Sequence, residues 1–116
     1  MNKQHPIPFD KVNITGGFWK DRIGLNESVT LDSVRRRFED TGRFSALSCE
    51  WKQGEPDRPH FFYDSDAAKW MEAAAYVLER KNDKQLESYV EDLIDRIELF
   101  PTEEFDGFGR LPAVFP

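Results

Sequence analysis

The sequence predicts an all-α fold: an αα-hairpin, one preceding helix and a short N-terminal strand. Two apolar stripes at helical spacing indicate the hairpin, because the link between their two helices, Lys81-Asn82-Asp83, is only three residues long. Helices of similar length on so short a link pack antiparallel. The chain divides into an extended lead-in over residues 1–17 and a helical part over residues 18–116.

The lead-in is polar and interrupted by prolines, and it ends in a predicted strand. Val12-Asn13-Ile14 alternates apolar and polar side chains, which is typical of a short strand. Thr15-Gly16-Gly17 follows as a turn signal.

The first helix is predicted from Phe18 to about Asp40. Gly24 and Asn26 are poor helix formers and weaken it. Thr41-Gly42 ends it, since glycine favours the position after a helix. Its apolar side is formed by Trp19, Ile23, Val34 and Phe38.

Residues 43–63 predict a loop, with a short helix near Phe44–Leu47. They lack periodicity and contain one glycine and two prolines. A connection of this length is uncommon inside a compact domain and often functional.

The hairpin is predicted over about residues 66–99. Its first helix runs from about Asp66 to Arg80, and Asn82 with Gln85 resembles a capping box for the second. The two apolar stripes consist of Trp70, Ala73, Ala74, Val77 and Leu78, and of Leu86, Val90, Leu93, Ile94 and Ile97.

Composition and charge limit the classes of partner. The net charge is −6, and residues 59–116 hold 13 Asp and Glu against 6 Lys and Arg. An acidic half repels phosphate backbones, so we expect no nucleic-acid partner. No apolar run is long enough to span a bilayer and the N-terminus lacks the apolar core of a signal peptide, so we expect a cytoplasmic protein with no membrane partner. The sequence does not fix the oligomeric state.

Three blocks occur in an order and spacing that resemble a known family. They are residues 12–22, Thr41-Gly42-Arg43-Phe44, and Phe62-Tyr63-Asp64-Ser65-Asp66 leading through Lys69-Trp70 into an alanine-rich helix. Over residues 10–98 the chain resembles the N-terminal part of glycoside hydrolase family 127, the β-L-arabinofuranosidase-like enzymes formerly catalogued as a domain of unknown function.

The resemblance implies both a fold and an activity. The family's catalytic domain is an (α/α)6 toroid of helical hairpins, and this chain would be a fragment of it. The implied reaction releases terminal L-arabinofuranose or a related sugar from plant glycans through a Cys–sugar intermediate. Zinc, held by a Glu and several Cys, is implied for the full-length enzyme.

The sequence departs from the family in ways that bear on activity. Tyr63 stands where members usually have Asn or Gln, and only Asp106-Gly107-Phe108 echoes the family's next motif. Cys49, the only cysteine, matches none of the zinc or nucleophile positions. One Cys with two distant His cannot form a thiolate zinc site. We therefore expect no catalytic residue and no metal ligand in this chain, which should be inactive alone.

Three substrate-binding candidates lie at the predicted start of the hairpin. The resemblance places Phe62 beside the bound sugar, whose C–H face suits an aromatic ring; packing under the loop is the alternative. Asp64 and Asp66 either cap the helix or bind sugar hydroxyls. They are not a glycosidase acid/base pair, because two residues on one helix start cannot flank a bond.

Other aromatic and polar residues have a structural and a functional interpretation. Trp51 either stacks against a sugar or fills space in the toroid. His60 is a loop residue that could contact a ligand. Lys69 is expected to pair with a nearby carboxylate, and Trp70 to lie in the core. The alternative function is a non-enzymatic helical interaction module whose apolar hairpin face docks a protein partner.

Overall fold

The computed structural model describes residues 3–99, and this part of the chain is helical with no strand, in agreement with the predicted all-α class. Its α-helices are α1 (Gly17–Leu25), α2 (Leu31–Asp40), α3 (Tyr63–Arg80) and α4 (Lys84–Glu98). Short 3-10 turns occur at Phe9–Lys11 and Ser45–Ser48.

The first predicted helix is confirmed as α1 and α2 joined by a π-helical turn over Asn26–Thr30. Beside this turn the Ser28 hydroxyl donates to the carbonyl of Gly24 at 2.7 Å. Such a bond competes with the backbone ladder and often accompanies an irregular turn. The two poor helix formers noted in the sequence therefore lie where the helix widens.

The end of α2 is a Schellman motif, as the Thr41-Gly42 stop signal predicts. Gly42 adopts φ +72, in the left-handed region that glycine tolerates. Its N–H donates to Glu39 and the N–H of Arg43 donates to Phe38, at 3.1 and 2.9 Å. The reversal turns the chain at once into the 3-10 turn that carries Phe44 toward the core.

The predicted strand over residues 12–14 is not formed. Val12 has extended backbone angles, φ −113 and ψ 123. A strand also needs a neighbouring strand for its backbone N–H and C=O groups, and residues 3–99 supply none. A side chain fastens the lead-in instead: the ring of Phe9 packs edge-on against Tyr76 of α3, 4.7 Å between centroids.

The hairpin is confirmed, with α3 and α4 joined by residues 81–83. The capping residue differs from the prediction: Asp83, not Asn82, accepts the hydrogen bond from Leu86 N at 3.1 Å. Asp83 is extended and stands three residues before Leu86, the geometry that a side-chain cap requires. α3 begins at Tyr63, three residues before the predicted start.

An aromatic cluster forms the centre of the core. Trp70 lies against Phe44 and Tyr89, with ring centroids 5.4 and 5.5 Å apart. Phe44 in turn contacts Phe38 at 5.7 Å. All these pairs are edge-to-face, the arrangement that aromatic quadrupoles favour. We refer to Phe38, Phe44, Trp70 and Tyr89 as the aromatic cluster.

Trp70 also makes a buried hydrogen bond to the first helix. Its indole Nε1–H donates to the carbonyl oxygen of Leu31 at 2.9 Å. Leu31 is the buried residue of α2. It was not among the residues predicted to form the apolar side of the first helix. Trp19, which that prediction included, is 66% exposed, and no residue of α1 is buried within the described chain.

A polar contact joins α4 to α2 at the edge of the core. The Tyr89 hydroxyl donates to Glu39 at 2.7 Å, and Arg35 donates to the same carboxylate oxygen at 2.8 Å. The Arg35 guanidinium lies 5.1 Å from the Tyr89 ring centroid. Burial, together with the hydrogen bond to Glu39, raises the pKa of Tyr89 to about 12.

Replacing Trp70 by Phe should lower the free energy of unfolding by about 2–3 kcal/mol, because it removes the indole donor and leaves space beside the aromatic cluster. Trp19→Phe is the matched control and should change stability by about 0.5 kcal/mol or less. Urea unfolding followed by circular dichroism measures both. Equal losses in the two variants would contradict a special role for Trp70.

Stability should fall as pH rises from about 10 to about 12. The unfolded Tyr89 phenol loses its proton near pH 10, whereas the folded one, whose pKa is raised, keeps it to about pH 12. The unfolded state therefore binds fewer protons in this window, and folding free energy present below pH 10 is lost above it. Urea unfolding at pH 9 and pH 11 should show a smaller loss for Tyr89→Phe than for the wild type. Parallel losses would show that Tyr89 contributes nothing.

Candidate functional site

Phe62 lies at the start of α3 with its ring toward solvent. It is the N-cap residue, with φ −103 and ψ 25, and it is 55% exposed. Its ring contacts Phe61 edge-on at 4.9 Å between centroids, and His60 at 6.0 Å. More than half of the residue stays exposed among the described residues, which disfavours packing under the loop.

The two aspartates of the Asp-Ser-Asp step have different surroundings. Asp64 is exposed, and its Oδ1 accepts the backbone N–H of Ser65 at 2.7 Å. Asp66 has a side chain only 22% exposed, and its Oδ2 accepts from Arg43 Nε at 2.7 Å. The N-cap residue of α3, Phe62, makes no side-chain cap hydrogen bond, so the capping alternative does not describe Asp66. The carboxylate of Asp66 instead accepts a hydrogen bond from Arg43, which lies just after the end of α2.

Arg43 joins two of the blocks noted in the sequence. Besides Asp66, its guanidinium donates to the Thr41 hydroxyl at 2.6 Å and lies 5.2 Å from the Phe38 ring centroid. Local spacing does not reveal this pair, because 23 residues separate Arg43 from Asp66. The sequence did indicate that the two residues are related, because Arg43 and Asp66 each belong to one of the three blocks that carry the family resemblance.

His60 is held against the backbone at the start of α3. Its Nδ1 accepts the N–H of Phe62 at 3.2 Å, so Nδ1 carries no proton in this arrangement. The same nitrogen lies 4.0 Å from Asp66 Oδ2. In the neutral ring the proton is then on Nε2, a hydrogen-bond donor on a half-exposed side chain next to Phe62.

Cys49 faces Tyr63 rather than the candidate residues. Its Sγ lies 3.8 Å from the Tyr63 hydroxyl, and burial raises the pKa of the thiol. Burial also raises the pKa of Tyr63 well above its usual range. A thiol that keeps its proton is a weak nucleophile and a weak metal ligand.

The zinc implied for the full-length enzyme does not fit the described residues. Residues 3–99 hold no group of three or more His, Cys, Asp and Glu that could bind a metal ion. Cys49 is the one thiol of the chain, and its neighbour is a phenol. This part of the chain therefore does not form the zinc site that the resemblance implies.

The remaining candidates have structural surroundings. The Trp51 indole N–H donates to two carbonyls of its own loop, those of Glu55 and Pro56, at 3.3 and 3.0 Å. This closes the loop and brings the ring against the core. Lys69 is exposed and, among residues 3–99, forms no ion pair with Asp64 or Asp66.

The two best-formed clefts of the described chain lie elsewhere. One, of about 650 Å³, lies between α2 and the hairpin link and is bordered by Trp70 and Tyr89. The other, of about 670 Å³, lies between the end of α2 and the loop around Trp51. Neither is lined by Phe62, Asp64 or Asp66.

Comparison with known proteins identifies a matching family. A family model described as beta-L-arabinofuranosidase, GH127 catalytic domain, matches residues 11–108. No significant match is found among curated proteins or among solved structures. The matched range includes all three blocks and Asp106-Gly107-Phe108, which lies outside the described residues. No helix within residues 3–99 is long and apolar enough to cross a membrane.

Proposed function

The chain belongs to the glycoside hydrolase family 127 β-L-arabinofuranosidases, since the family model covers residues 11–108 of its 116, and we propose that it forms the first helix and first hairpin of that catalytic domain. The α3–α4 hairpin is the kind of unit from which an (α/α)6 toroid is built. The function to which it contributes is the release of terminal L-arabinofuranose, or a related sugar, from plant glycans.

The exposed Phe62 ring at the start of α3, two residues before the exposed Asp64, is the observation that carries this proposal. A large apolar ring that stays 55% exposed next to a polar turn is suited to the C–H face of a sugar. Asp64 uses Oδ1 for its own helix start, which leaves Oδ2 to accept a sugar hydroxyl. Asp66 contributes through Oδ1, because Oδ2 belongs to Arg43.

The chain binds without performing the reaction. Glycoside hydrolysis needs two groups on opposite sides of the scissile bond, and Asp64 and Asp66 share one helix start. Cys49 is a protonated thiol facing Tyr63, so it does not supply the nucleophile that the family uses. The nucleophile and the zinc ligands then belong to other parts of a full-length enzyme.

We expect the purified 116-residue chain to show no turnover of p-nitrophenyl β-L-arabinofuranoside. The physical reason is that no nucleophile and acid face each other across a bound sugar in the described residues. Release of nitrophenol is the measurement, and a preparation from cells without the gene is the control. Turnover above that control would refute the proposed inactivity.

The Phe62→Leu change should weaken binding of methyl β-L-arabinofuranoside by roughly 3–10-fold, because it removes the ring face. Titration followed by backbone amide chemical shifts of the full chain gives the dissociation constant. Phe18→Leu, at a similarly exposed ring on α1, is the matched control and should leave binding unchanged. Equal affinities in the wild type and Phe62→Leu would remove Phe62 from the site.

A further inference from the structure

We propose that His60 is a pH-dependent switch at the start of α3. When its ring is protonated, His60 gives up the backbone N–H of Phe62 and donates a hydrogen bond to the carboxylate of Asp66. The inference goes beyond the proposed function and does not rest on it, because no sugar takes part. It starts from one ring nitrogen, Nδ1, which is close to both a hydrogen-bond donor and a second acceptor.

The neutral ring of His60 holds the backbone of Phe62. Nδ1 accepts the N–H of Phe62 at 3.2 Å, two residues further along the chain. Asx turns have the same span, with an Asn or Asp oxygen as the acceptor. The Nδ1 atom of this tautomer has one lone pair, and the contact with Phe62 uses it. The turn is therefore closed only while Nδ1 carries no proton.

Protonation changes the relation between His60 and Asp66. Nδ1 lies 4.0 Å from Oδ2 of Asp66, and both atoms are acceptors as long as the ring is neutral. An imidazolium ring, in contrast, donates from both nitrogens. Protonated Nδ1 meets the N–H of Phe62 as a second donor, which opens the turn, and it meets Asp66 as a donor to a carboxylate.

The new contact requires a small movement. Charge-assisted N–H···O bonds are about 2.7–2.9 Å long, so Nδ1 has to approach Oδ2 by roughly 1 Å. The His60 side chain is 47% exposed, which leaves the ring room to turn. Oδ2 of Asp66 already accepts from Arg43 Nε at 2.7 Å, and a carboxylate oxygen has a second lone pair for His60.

Charged groups of both signs lie near His60. Asp66 favours the protonated ring, and among residues 3–99 it is the carboxylate within ion-pair distance of His60. The guanidinium of Arg43 is bound to the same oxygen and opposes a second cation there. Arg58 adds a positive charge two residues earlier in the loop, and Asp64 is exposed on the first turn of α3. A histidine ring changes charge between about pH 5 and 8, and the two ends of this range populate the two states.

The test follows the full chain by NMR at about pH 7.5 and about pH 5. At the higher pH His60 should carry its proton on Nε2, whereas His5, exposed in the lead-in, should show both tautomers. The protection of the Phe62 amide from hydrogen exchange is measured relative to an unstructured peptide at the same pH. This protection should fall by roughly 3–10-fold at the lower pH, because one hydrogen bond is lost.

His60→Asn is the matched variant for the proton. Its side-chain oxygen takes the place of Nδ1 and closes the turn as an Asx turn does, but it does not titrate in this range. Phe62 should therefore stay protected at both pH values in His60→Asn. His60→Ala, which has no acceptor, should leave Phe62 unprotected at both.

Asp66→Asn tests the partner of the protonated ring. At the lower pH the Nδ1–H of His60 should exchange with water about 3-fold faster or more than in the wild type, because a charge-assisted hydrogen bond is lost. Asp64→Asn, at the other aspartate of the step, is the control and should leave this exchange rate unchanged. Equal rates in the two variants would remove Asp66 from the switch.

Other results would overturn the inference as a whole. Equal protection of Phe62 at the two pH values in the wild type would show that no exchange occurs. The same pH effect in His60→Asn would assign it to another group, and this variant decides even if Asp66→Asn fails to fold. The buried indole N–H of Trp70 should stay protected throughout. Its loss together with the protection of Phe62 would show unfolding rather than a local switch.

Discussion

The hydrogen bond from the Trp70 indole to the carbonyl of Leu31 is the constraint on which the rest of the structure depends. A buried indole N–H without an acceptor is costly, so this bond fixes where α3 meets the first helix. Leu31 begins α2 directly after the π-helical turn, where the first helix reaches the hairpin. Phe44 and Tyr89 then pack against the Trp70 ring and bring the 3-10 turn and α4 to the same point.

The residues that carry the family resemblance mainly encode this packing. Within the Asp-Ser-Asp step, Asp66 is directed inward to Arg43 and Asp64 outward to solvent. The Thr41–Phe44 block contacts α3 at two points: Arg43 pairs with Asp66 and Phe44 packs against Trp70. The Asp-Ser-Asp step looks like an acidic active site, but Asp66 mainly connects α3 to the end of α2. Phe62 and Asp64 remain exposed to solvent beside it.

The sequence predicted the helices well and their connections less well, for physical reasons. Apolar stripes at helical spacing are local, so α3 and α4 could be identified directly. The strand at residues 12–14 failed because pairing needs a second strand, which the local pattern does not reveal. The capping residue was one position off because Asn82 and Asp83 both have suitable side chains, and backbone geometry selects the second. Arg43 could not be paired with Asp66 from local spacing at all.

The chemistry of the described residues suits the proposed binding role better than that of a reaction centre. Cys49 and Tyr63 face each other with both pKa values raised, so each keeps its proton and neither is available as a base or nucleophile. Asp66 is committed to Arg43, and Asp64 lies exposed at the surface. Proton transfer in a glycosidase needs two groups with separated pKa values on either side of a bond. What this region offers is a packed helical frame, in which Arg43 joins the end of α2 to the start of α3 through Asp66.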